Sequence, residues 1–172
     1  MVVSNRKQLI LEDVKEVFAK KGFYGSTSKD LAKAAGVSEA LLYKHFPSKE
    51  SLFKESLKTA LEPYKRLTET KDQGITNRLR HIANNFLRLD DETFKLLLFS
   101  YMELDKKYLQ EYVEYFKNKI KALLNDNQNN KAGFSKNFDS TMISLLVGYK
   151  LLYPELSSQQ VLEVLTKNII KT

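Results

Sequence analysis

The stretch Thr27 to Phe53, TSKDLAKAAGVSEALLYKHFPSKESLF, constrains the chain more than any other. Thr27 followed three residues later by Asp30 is a helix-starting box, in which each side chain satisfies a free backbone N–H of the other. Leu31, Ala32 and Ala35 then supply a small apolar inner face. Gly36 ends that helix, at a position where a positive φ is tolerated. Val37 can plug the corner. Ser38 can cap a further short helix, Glu39 to Phe46, in which Leu42 and Phe46 lie four apart and face inward. Pro47 and Ser48 close it and open the next. Two short helices crossing at a Gly-containing turn form a helix-turn-helix, an arrangement that can lay its second helix in a DNA major groove.

Helical periodicity runs through almost every other segment, and no sustained period-2 alternation occurs. The first helix is predicted over about Ser4 to Lys21, with Leu9, Ile10, Val14, Val17 and Phe18 on one stripe. Gly22 follows as its terminating glycine. A fourth helix starts at Ser48 and carries Leu52, Phe53, Ser56, Leu57, Ala60, Leu61 and Tyr64. Pro63 either ends or kinks it. Lys71 to Gly74 is a polar break and a natural boundary. A fifth helix spans Ile75 to Phe86, and a sixth opens on the acids Asp90-Asp91-Glu92 and runs through Phe94, Leu97, Leu98 and Met102. Asp105 caps a seventh. After the polar loop Asn125–Gly133, an eighth covers Phe138 to Tyr153. Ser157 with Gln160 caps a ninth, which carries Val161, Leu162, Leu165 and Ile169. The expected fold is all-α, with about nine helices.

Charge and composition narrow the function. The 172 residues carry a net charge of +7. Through Arg66 there are 13 Lys and Arg against 8 Asp and Glu, and beyond it 15 against 13. The basic excess therefore sits with the helix-turn-helix, which favours an anionic partner. There are no cysteines, so disulfides, Cys-based zinc sites and a Cys nucleophile are excluded. No apolar leader is visible. Apolar runs such as Leu96–Phe99 and Leu145–Val147 are far too short to span a bilayer. A cytoplasmic protein that does not engage membranes is expected. The two histidines, His45 and His81, lie far apart in sequence. With no Gly-rich phosphate loop and no H-E-x-x-H motif, neither an enzyme nor a metal or cofactor site is expected.

The order Gly22-Phe23, Thr27-Ser28-Lys29-Asp30-Leu31-Ala32, Ala35-Gly36-Val37-Ser38, Leu42-Tyr43-Lys44-His45-Phe46, Ser48-Lys49-Glu50 and Leu52-Phe53 closely resembles the TetR family of bacterial repressors. The resemblance covers about residues 4 to 64. It implies a helix-turn-helix domain over 1–47, a connecting fourth helix over 48–66, and a ligand-binding and dimerisation domain over 67–172. Thr27, Tyr43, His45 and Lys49 would then contact DNA phosphates, with Ser28, Lys29 and Ser38 on the same surface. Glu39, Ala40, Leu41 and Lys44 would face base edges. Lys44 could donate to guanine, Leu41 could meet a thymine methyl, and Glu39 could accept from cytosine N4. Taken singly, Tyr43 would be ordinary packing and His45, Lys44 and Lys49 ordinary surface groups. Their joint spacing is what carries the reading.

The resemblance further implies a pocket in the second part. Candidate lining residues are Phe86, Phe94, Leu98, Tyr101, Met102, Tyr112 and Phe116, which would suit a hydrophobic or aromatic effector. The same aromatic stripe also suits a plain core. A homodimer would form through Ser144, Leu145, Gly148, Tyr149, Val161 and Leu165, reading a palindromic operator. The expected function is a ligand-responsive DNA-binding repressor. The alternative is a TetR-like adaptor that has replaced DNA by a protein partner. Glu39 supports that alternative, because it repels phosphate.

Overall fold

A computed structural model describes residues 3–66, 74–124, 138–153, 155–157, 159–161 and 163. The order is α1 (Val3–Gly25), α2 (Ser28–Ala34), α3 (Glu39–His45), α4 (Lys49–Arg66), α5 (Ile75–Leu87), α6 (Asp91–Phe99), a π-helical turn (Ser100–Leu104), α7 (Lys106–Leu124) and α8 (Phe138–Leu152). Every regular element among the described residues is helical. The expected cap of a ninth helix is present: Gln160 N–H donates to Ser157 Oγ at 3.3 Å and Ser157 N–H to Gln160 Oε1 at 2.9 Å. The 125–133 loop, Pro154, Leu162, Leu165 and Ile169 lie outside the described residues.

The chain divides into two compact units. One unit joins Met1–Pro63 to Asp90–Leu109; the other joins Tyr64–Leu89 to Gln110–Thr172. Thus α6, the π-helical turn and the first residues of α7 group with the helix-turn-helix.

In the first unit α1 packs against α2, α6 and the π-helical turn. Its buried stripe is Ile10, Leu11, Val14, Phe18 and Ala19. Leu9, expected inside, is 44% exposed, and Leu11 takes its place. Phe18 meets Phe53 of α4 edge to face, with ring centroids 4.9 Å apart. Such a pair adds about 0.5–1.5 kcal/mol beyond area burial. Buried Ser56 donates to the Leu11 carbonyl at 3.2 Å, which fixes α4 along α1. Lys15 Nζ reaches Asp90 Oδ1 at 2.9 Å and Glu92 Oε2 at 3.6 Å, and so ties α1 to the start of α6. Asp90 caps α6 through its Oδ1, which accepts from Thr93 N–H at 2.9 Å. The α4 helix continues past Pro63 to Arg66 rather than ending there. The sixth helix does not run on to Met102 as a regular α-helix. From Ser100 it widens into the π-helical turn, closed by Asp105 N–H donating to the Ser100 carbonyl at 3.0 Å.

In the second unit Leu79, Ile82, Ala83 and Phe86 of α5 are buried, as are Tyr112, Phe116 and Ile120 of α7 and Phe138, Met142, Ile143 and Leu146 of α8. Phe86, Tyr112 and Phe116 form an aromatic cluster with centroid separations of 4.9 to 6.0 Å. Asp139 is also buried, with Lys121 Nζ 3.7 Å from its Oδ2.

Candidate nucleic-acid interface

The helix-turn-helix is built as its sequence predicts. Thr27 Oγ1 accepts from Asp30 N–H at 3.1 Å, and Asp30 Oδ2 accepts from Thr27 N–H at 3.2 Å. Such a cap stabilises a helix by about 0.5–2 kcal/mol. The Lys21 ammonium, 2.9 Å from Asp30, and the Thr27 hydroxyl and N–H hold the Asp30 carboxyl down at about 2. At the other end α2 closes in a Schellman arrangement. Gly36 N–H donates to the Lys33 carbonyl at 3.2 Å and Val37 N–H to the Ala32 carbonyl at 3.0 Å. That closure needs the positive φ of 59° found at Gly36. Ser38 then caps α3 through Leu41 N–H at 3.1 Å.

On α3, Leu42 and Phe46 are fully buried. Glu39, Ala40, Tyr43 and Lys44 are exposed, with Leu41 half-buried beside them. The outer face thus offers one anion, one cation, a phenol and two apolar side chains. Those groups can meet base edges and a thymine methyl in a major groove. Ser38, Thr27 and Lys29 are also exposed. The Thr27 oxygen accepts the capping bond, while its hydroxyl proton is shared with the Asp30 carboxylate. Ser28 Oγ and Tyr43 OH share a short hydrogen bond that joins the start of α2 to α3.

Two predicted phosphate contacts sit differently from Tyr43. Residues two apart on a helix project about 200° apart, so His45 stands on another face. It is half-buried and lines an open groove of about 690 Å³ with Lys7, Gln8, Leu11, Glu55, Lys58, Thr59 and Glu62. Lys49 is held inward. Its ammonium donates to the carbonyls of Phe23 at 2.8 Å and Ser26 at 2.9 Å and lies 4.4 Å from the Phe23 ring centroid. Of its three N–H groups, one is left for a phosphate.

Sequence reasoning misses two supports. Arg6 of α1 donates to the Gly36 carbonyl at 3.4 Å, across 30 residues. Glu103 of the π-helical turn accepts from the backbone N–H of Phe23 at 2.6 Å and of Tyr24 at 3.0 Å, across about 80. Local periodicity carries no signal for bonds of that range.

The seven candidate pocket residues divide between the units. Phe86, Tyr112 and Phe116 are buried together in the second. In the first, Phe94 is buried and Leu98 half-buried, whereas Tyr101 and Met102 are 42% and 73% exposed. Burial raises the Tyr112 hydroxyl far above its ordinary pKa, and its oxygen has no hydrogen-bond partner among the described residues. Of the candidate dimer residues, Ser144 is exposed, Leu145, Gly148 and Tyr149 are half-buried, and Val161 is buried. No helix among the described residues is long and apolar enough to cross a membrane.

Residues 10–56 match the family model of bacterial regulatory proteins, tetR family. The biofilm operon icaADBC HTH-type negative transcriptional regulator IcaR of Staphylococcus aureus (strain Newman) is 25% identical over 146 residues, covering 81% of this chain and 73% of IcaR. The HTH-type transcriptional regulator QacR of S. aureus (strain Mu50) is 33% identical over 129 residues, covering 73% of this chain and 64% of QacR. AibR, solved in complex with isovaleryl coenzyme A and operator DNA, shares the fold with a TM-score of 0.72 at 16% identity, covering 96% of this chain and 98% of AibR. The capped helix-turn-helix, its outward face and these likenesses agree, and the chain belongs to the TetR family of bacterial transcriptional regulators.

Proposed function

We propose that the chain is a ligand-responsive repressor that binds a palindromic operator as a homodimer and is released by a small hydrophobic or aromatic effector. Residues 1–47 would carry DNA binding, 48–66 the connection, and 67–172 the effector and dimer functions. The observation that carries the reading is α3 itself. Leu42 and Phe46 anchor it, while Glu39, Ala40, Tyr43 and Lys44 face outward beside Thr27 and Lys29. IcaR, described as a negative regulator, supports repression. AibR, solved with both a small molecule and operator DNA, supports an effector.

Two copies would place their recognition helices about 34–36 Å apart, on half-sites one helical turn apart. The apolar end of α8 and the residue after it support pairing: Leu151, Leu152 and Tyr153 are 52%, 68% and 50% exposed. The effector reading rests on the Phe86–Tyr112–Phe116 cluster, whose Tyr112 hydroxyl has no hydrogen-bond partner among the described residues and suits an apolar molecule with one polar group. An effector shifts the equilibrium only by its differential affinity for the two states.

The test is selection of bound duplexes from a random pool, followed by titration over a range of salt. The expected result is a palindromic consensus and a log–log salt slope of about −0.9 for each phosphate neutralised. An isotherm indifferent to salt, with a protein retained from lysate instead of DNA, would point to the adaptor.

A further inference from the structure

The five residues before Thr27 are gripped from both sides. Gly22 has φ 71° and ψ −175°, a conformation essentially confined to glycine. A Cβ built on it would lie 2.5 Å from Glu103 Oε1. The same carboxylate accepts the N–H groups of Phe23 and Tyr24. On the carbonyl side, the Lys49 ammonium takes the oxygens of Phe23 and Ser26. Ser26 Oγ closes the turn onto the Phe23 carbonyl at 2.9 Å. An anion thus holds the N–H edge and a cation the C=O edge of the segment that leads into the α2 cap. Charge-assisted bonds of this kind are about twice as strong as neutral ones.

Glu103 reaches Gly22 from the π-helical turn, whose closing bond spans five residues, from Asp105 to Ser100. A regular α-helix would close one residue earlier. A shift of one position turns a side chain by about 100°, enough to carry the carboxylate off the segment.

We propose that Glu103 is a positioning residue for DNA binding. Presented by the π-helical turn, its carboxylate sets the backbone of 22–26 and thereby the angle at which α2 and α3 meet DNA, without touching DNA itself. The proposal rests on the DNA-binding reading above.

The test uses the full chain and a labelled duplex enriched by the unaltered protein from a random pool. Affinity is read by fluorescence anisotropy at several salt concentrations, and backbone order by hydrogen exchange. Glu103→Gln keeps the shape and removes the charge. It should raise Kd on the order of tenfold and make the salt slope shallower by about 0.9 for each phosphate no longer neutralised. Exchange should quicken over 22–31 and stay unchanged over 110–124. Glu103→Asp keeps the charge on a shorter stem and should recover part of the affinity, so it decides the matter if the Gln variant does not fold. A Gln variant with unaltered affinity and slope overturns the proposal. So does a loss of affinity accompanied by faster exchange throughout the chain. If the unaltered protein enriches no duplex, the DNA-binding reading itself fails. If it enriches one that Glu103→Gln binds equally well, only the positioning role falls.

Discussion

Replacing Gly22 by alanine isolates the cost of the turn that precedes the helix-turn-helix. Two effects oppose the substitution. A non-glycine residue at φ 71°, ψ −175° costs on the order of 1–3 kcal/mol in backbone strain. The new Cβ also lies 2.5 Å from Oε1, 2.9 Å from Oε2 and 3.0 Å from Cδ of Glu103, so the carboxylate must leave. Its departure frees two N–H groups. That of Tyr24 is exposed and finds water, whereas that of Phe23 is part-buried. One bond to a charged group is thereby removed without replacement, about 1.5–3 kcal/mol. Reduced freedom of the unfolded chain returns about 0.4–1 kcal/mol. The net loss is roughly 2–5 kcal/mol, against a typical total of about 5–15. Gly36→Ala is the control. It too has a positive φ, 59°, but nothing lies within 4 Å of its Cβ, so only strain of about 1–2 kcal/mol applies. Urea unfolding of the full chain, followed by far-UV circular dichroism, measures both. In a Glu103→Ala background the clash is gone, and Gly22→Ala should cost only its strain. The double-mutant cycle should therefore show a coupling of about 1.5–3 kcal/mol. Equal costs for Gly22→Ala and Gly36→Ala, or a cycle that closes at zero, would refute the reasoning.

Other perturbations have separate signatures. The Lys21 ammonium and the Thr27 groups hold Asp30 at about 2, below its ordinary 3.8, so its stabilisation is complete above about pH 4 and is lost as pH falls towards 2. Asp30→Asn should flatten acid unfolding in that window, and a side-chain carbon titration should place the Asp30 midpoint near 2. Lys49→Met removes two bonds to carbonyls and should lower stability by about 1–3 kcal/mol in denaturant titrations. Lys44→Met, on the exposed face, should leave stability within about 0.5 kcal/mol and reduce DNA affinity instead. Tyr112→Phe deletes a buried hydroxyl that has no partner among the described residues and should raise the thermal midpoint, by about 1 kcal/mol of stability, while weakening any response to an effector bound at the aromatic cluster.

The contrast between Lys49 and Glu103 shows what the sequence can disclose. Every local device of the helix-turn-helix is legible. The Thr27–Asp30 box, the closure at Gly36, the Ser38 and Asp90 caps and the inward Leu42 and Phe46 depend on residues within five positions of one another, where side-chain chemistry and helical period suffice. Lys49 is visible as a cation at the start of α4, but its carbonyl partners lie 23 and 26 residues back. In sequence it therefore looks like surface charge free for phosphate. Glu103 gives no signal at all, because a π-helical turn preserves helical composition while shifting the register of the residues after it. That shift also accounts for Tyr101 and Met102. Projected on a continuous α-helix they join the Phe94–Leu98 stripe, and in the widened turn they face solvent. One extra residue per turn thus explains both failures of the pattern in this region: two apolar side chains turned outward, and one carboxylate turned inward onto Gly22. If the register is the cause, deleting Met102 should restore the α-helical bond ladder there and withdraw Glu103 from Phe23. Faster exchange at residues 23 and 24 would reveal it, and protection equal to the unaltered chain would show that Glu103 holds the segment independently of the π-helical turn.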